Sequence, residues 1–126
     1  MMRPDLPQDL RRFILTSIPS VPYLEAVLLL RAQPQRIWSA ADAARRLYLP
    51  EQRASELLAE LNSAGIAQAE PHGCRYAPGT EELAAILDQL AAHYAVDLVG
   101  VSDLIHSRVD KKAQQFADAF RIRKDS

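Results

Sequence analysis

Residues 39–78, SAADAARRLYLPEQRASELLAELNSAGIAQAEPHGCRYAP, decide how the chain is read. Ser39 followed by Asp42 three residues later resembles a capping box, so a short helix is expected over Ala40 to Leu47. Tyr48-Leu49-Pro50 is a tight connection, and Pro50 suits the first position of a helix because its missing N–H would go unpaired there anyway. The next helix, Glu51 to Ala64, places Ala54, Leu57, Leu58 and Leu61 on one face. Its other face carries Gln52, Arg53, Ser55, Glu56, Ala59, Glu60 and Ser63, and Gly65 supplies a left-handed stop. Ile66 to Glu70 and Cys74 to Pro78 are short extended segments around Pro71-His72-Gly73, a composition that suits a hairpin tip.

Upstream, Leu10, Phe13, Ile14 and Ile18 form a helical stripe with Asp9 as a candidate cap, and Pro19 ends it. Ser20 then caps YLEAVLLLRA, which is apolar on nearly every side and therefore central. Arg36-Ile37-Trp38 is a brief extended piece. Downstream, Thr80 caps a pattern in which Leu83, Leu87, Leu90, Tyr94, Leu98, Val101 and Ile105 recur at spacings of three and four to about Ser107. One helix of that length would reach roughly 40 Å at 1.5 Å per residue, beyond what a small module covers. Asp110 can cap a last helix, KKAQQFADAF, with Phe116 and Phe120 on one side.

The 126 residues suit one domain, 1–126, with a core module at 20–79, a long helix at 80–107 and a basic amphipathic tail at 108–126. Hydrophobic residues at 48% and charged residues at 25% exclude disorder as a description of the whole. The single cysteine, Cys74, excludes an internal disulfide framework. Met1 to Arg12 lacks the apolar stretch of a signal peptide and Ala26 to Leu30 is too short to span a bilayer, so a cytoplasmic location without membrane contact is expected. Net charge is -1, but residues 81 to 107 hold five acids and no Lys or Arg, whereas 108 to 126 hold six basic and three acidic residues. Attraction between these blocks, within a chain or across a dimer, explains the tail more economically than nucleic acid does.

The order helix, short strand, helix, turn, helix, hairpin wing, long helix, across Ser20 to about Ser107, resembles bacterial winged helix-turn-helix transcriptional regulators of the MarR-like kind. The resemblance implies a mainly α winged-helix fold with an extra N-terminal helix, a long C-terminal helix and a short terminal helix. It implies double-stranded DNA as partner and transcription regulation by a homodimer. On that basis Gln52, Arg53, Ser55 and Glu56 would face base edges, while Arg45, Arg46 and Arg75 would take phosphates or the minor groove. Leu87, Leu90, Tyr94, Leu98, Val101 and Ile105, with Phe116 and Phe120, would form the dimer or dock the tail. Against this stands the charge of the helix itself, three glutamates to one arginine, and a wing whose Arg75 is opposed by Glu70. Winged helices also serve as protein-interaction adaptors, which is the alternative function.

No catalytic centre, cofactor or metal site is expected. His72 and Cys74 at the hairpin tip are too few to hold a metal, and His93 with Asp97 or Asp103 with His106 would each need further ligands from a partner. A nucleophile elbow and phosphate-cradling glycines are both missing.

Overall fold

The computed structural model describes residues 6–107. The chain is mainly helical with a small two-stranded antiparallel sheet, in the order α1(Gln8–Ser17), α2(Val21–Ala32), α3(Ala40–Leu47), α4(Glu51–Ser63), β1(Ala67–Glu70), β2(Gly73–Tyr76), α5(Glu81–Val96) and α6(Leu98–Ser107). The described residues divide into two compact units: Pro22–Ala91, and 6–21 together with 92–107. Residues 81–91 of α5 belong to the first unit.

In the Pro22–Ala91 unit, α2 buries Tyr23, Leu24, Ala26, Val27 and Leu30, as befits a helix with almost no polar face. The Ser39 hydroxyl accepts the Asp42 N–H at 3.1 Å, which starts α3. Pro50 stands one position earlier than expected, as the cap of α4 with an extended ψ of 147°. α4 then buries Ala54, Leu57, Leu58 and Leu61, the four residues its pattern placed inside, and packs on α3 and on both strands. It ends in a left-handed glycine stop: Gly65 has φ 77°, its N–H reaches the Asn62 carbonyl, and the Ile66 N–H reaches back to Leu61 at 3.0 Å. Leu61 and Ile66, the two ends of that hydrogen bond, are both buried.

The hairpin pairs Ala67 with Tyr76, Gln68 with Arg75, Ala69 with Cys74 and Glu70 with Gly73, so the connecting loop is Pro71-His72 alone and Gly73 is its first returning residue. Trp38 forms an isolated antiparallel bridge to Cys74, with N–H to carbonyl distances of 2.8 and 2.9 Å in the two directions. Gly73 makes this approach possible. A Cβ there would fall inside the contact distance of the Trp38 carbonyl. The Thr80 hydroxyl accepts the Leu83 N–H at 3.1 Å and starts α5, which an Arg31–Asp88 ion pair at 3.0 Å links to α2.

In the other unit, α1 buries Leu10 and Ile14, and Ile18 at its C-terminal cap is buried too, while Phe13 is only half-buried and Pro7, rather than Asp9, holds the N-terminal cap position. α6 buries Val101, Leu104 and Ile105. The single long helix expected over 80–107 is two helices. Asp97 separates them: its N–H closes α5 onto the His93 carbonyl at 2.8 Å, and its carboxylate accepts the Gly100 N–H at 3.1 Å, opening α6. Among the described residues no single helix is long and apolar enough to cross a membrane.

Candidate interaction face of the second and third helices of the hairpin module

The residues expected to meet DNA lie on α3, α4 and β2, elements that the unit's packing holds together. Gln52, Ser55 and Glu56 are exposed on α4, and Arg53 is half-buried beside them. Arg53 turns along its own helix, with Nη1 at 3.3 Å from Glu56 and 3.8 Å from Glu60. With Glu51 also exposed, the outward side of α4 sets three carboxylates against one guanidinium. On the hairpin, Arg75 is held by Glu70 at 3.3 Å and by the Gln68 side-chain carbonyl at 3.5 Å. Such pairs contribute only ~0–1 kcal/mol each. Their meaning here is electrostatic: neither Arg53 nor Arg75 adds net positive charge to the surface around it.

α3 differs. Arg45 pairs with Asp42 one turn earlier, and the other oxygen of the same carboxylate lies 3.6 Å from Arg36. Arg36 also lies flat against the Trp38 ring, 3.7 Å from its centroid, and Arg46 lies 5.7 Å from the same centroid. Trp38 is fully buried, and its Nε1–H has no acceptor among the described residues. Three guanidiniums therefore gather about one carboxylate and one indole. At the C-terminal end of α3, Tyr48 is 93% exposed, with a left-handed φ of 57°.

Arg36 and Tyr48 were not among the expected site residues. Arg36 was legible only as part of an extended piece, since its stacking depends on where the Trp38 bridge to Cys74 leaves the indole. Tyr48 had only a weak local signal, a large aromatic between Leu47 and Leu49 in the connection before Pro50.

Of the residues expected at a dimer or tail-docking face, Leu87, Leu90, Val101 and Ile105 are 0% exposed in the single chain. Tyr94 is half-buried, Leu98 is 55% exposed, and Phe116 and Phe120 lie outside the described residues. His72 is exposed and Cys74 buried; burial pushes the Cys74 thiol above its ordinary value, and its Sγ–H is directed at the Leu58 carbonyl at 3.8 Å. That is a structural thiol rather than an activated one. Asp97 is engaged as a helix cap, and among the described residues no three His, Cys, Asp or Glu side chains gather as metal ligands. No protein-family model, curated protein or solved structure matches the chain.

Proposed function

We propose that Pro22–Ala91 is a winged-helix module that acts by binding another protein through the face built from α3, α4 and the hairpin. The antiparallel bridge from Trp38 to the hairpin supports the winged-helix reading, because it brings the strand before α3 against the wing in the order that the fold requires. The observation that carries the functional reading is the charge of α4. In a DNA-binding winged helix this element would enter the major groove, yet here its outward side has a surplus of two negative charges, three glutamates less one arginine. Affinity for duplex DNA comes largely from neutralising phosphates, and a helix of this sign raises the energy of the docked state.

Titration of the full chain against mixed-sequence duplex DNA at about 50 mM salt tests this, since electrostatic binding is strongest at low salt. The expected result is no saturable binding. Salt-dependent binding to a defined site, lost selectively in Arg53→Ala, would overturn the reading.

A DNA-binding transcriptional regulator is the second reading. One observation favours it: Gln52, Ser55 and Glu56 are uncovered on α4, where base-reading side chains would stand. A homodimer would double such contacts without altering their sign. Its interface would have to use residues other than the four now found inside the chain.

A further inference from the structure

The charge on this face is divided rather than uniformly neutral. Arg36, Arg45 and Arg46 outnumber Asp42 by two on the α3 side, and Glu51, Glu56 and Glu60 outnumber Arg53 by two on α4. A uniform polyanion laid across the face meets both signs. A peptide segment whose acidic residues stop short of α4 meets only one.

The guanidiniums are also held. Arg36 and Arg45 share the Asp42 carboxylate, and Arg36 and Arg46 lie against Trp38, so less side-chain freedom remains to be lost when a ligand binds. Tyr48 follows Arg45 and Arg46 by three and two residues, at the end of the same helix. Its left-handed backbone is a conformation that glycine adopts freely and tyrosine does not. The side chain is nonetheless almost wholly in solvent, so burial in this chain does not account for an aromatic residue at the position. Arginine and tyrosine are the residue types that most often dominate protein interfaces.

Resting on the protein-binding reading above, we propose that Tyr48 with Arg36, Arg45 and Arg46 anchors an acidic segment of the partner protein that also bears apolar side chains. The carboxylates of that segment meet the guanidiniums held around Trp38 and Asp42. One of its apolar side chains covers the Tyr48 ring.

The test uses the full chain and a fluorescein-labelled peptide of alternating glutamate and leucine, with duplex DNA of matched net charge as a second probe, both followed by fluorescence anisotropy. Saturable peptide binding is expected, weakened about tenfold by the double variant Arg45→Glu/Arg46→Glu and several-fold by Tyr48→Gly. The glycine variant keeps the left-handed turn, so its loss is not a folding defect; thermal unfolding of each variant checks this. Absence of peptide binding, or equal binding by all three proteins, overturns the anchor while leaving the protein-binding reading in place. Tighter binding of the duplex than of the peptide, abolished by Arg53→Ala, overturns both.

Discussion

α3 and α4 end in the same way and with different residues. In each, a left-handed residue turns the chain, and the N–H of the following residue reaches back five positions: Leu49 to Ala44 at 3.1 Å, Ile66 to Leu61 at 3.0 Å. At the end of α4 the turning residue is Gly65, with nothing within 4 Å of where a Cβ would stand. At the end of α3 it is Tyr48, 93% exposed. The first stop is what helix geometry asks for, since glycine meets no Cβ penalty there. The second accepts strain of ~1–2 kcal/mol for a side chain that buries nothing in its own chain. The α4 stop is explained by folding alone; burial within the chain does not explain the tyrosine at the α3 stop.

The strongest way to break the comparison is to remove the framework that both helices share. Gly73→Ala would force a Cβ onto the Trp38 carbonyl, part the bridge to Cys74 and release the indole that carries Arg36. A loss of ~2–4 kcal/mol is expected from urea unfolding, with a red shift of Trp38 emission. If Gly73→Ala is neutral, the bridge is not the structural tie described here.

Gly65→Ala comes next. The space around Gly65 is open, so only the backbone penalty counts, and a destabilisation of ~1 kcal/mol should appear as a lower Tm. Tyr48→Gly should move the other way, by roughly 0.5 kcal/mol, because relief of strain exceeds the extra freedom that glycine gives the unfolded chain. Opposite signs at the two stops would sharpen the contrast. A destabilised Tyr48→Gly would mean that the tyrosine packs within its own fold and would remove the reason to look for a partner there.

The smallest effect concerns the buried side of α4. Burial raises the acid groups of Cys74, Tyr23 and Tyr76; for Tyr23 the nearby Glu60 adds to this, and for Tyr76 Asp88 adds while Arg31 opposes. Each folded value lies above its unfolded one, so the contribution is complete below the unfolded value and is lost as pH rises through the folded one. Stability should therefore be flat at neutral pH and decline above about pH 9, where the unfolded thiol begins to ionise, with the tyrosines contributing above about pH 10. In Cys74→Ser the onset should shift upward; an unchanged pH profile would show that the buried thiol is not its source.

Much of this architecture was legible along the chain. The apolar spacing of Ala54, Leu57, Leu58 and Leu61, the caps at Ser39 and Thr80, and the glycine stop at Gly65 are local rules, each satisfied within a few residues of its own position. The break at Asp97 was not read, because a period of three to four residues continues through it; only the cap geometry at Gly100 distinguishes one helix from two. Along the chain Leu87, Leu90, Val101 and Ile105 read as one stripe for a dimer or the tail; in the structure all four are buried within the single chain.

What the sequence determined by itself was the succession of helices and hairpin as far as the start of α5, and the equality of five basic and five acidic residues over positions 36–80. Composition could not say how those charges are shared out. Only the tertiary structure decided that Arg36 and Arg46 settle on Trp38 and that Arg31 of α2 meets Asp88 of α5. The physical reason is range. Caps and periodicity act through covalent neighbours, whereas the electrostatic character of a surface depends on which side chains the packing of separate elements brings within a few ångströms.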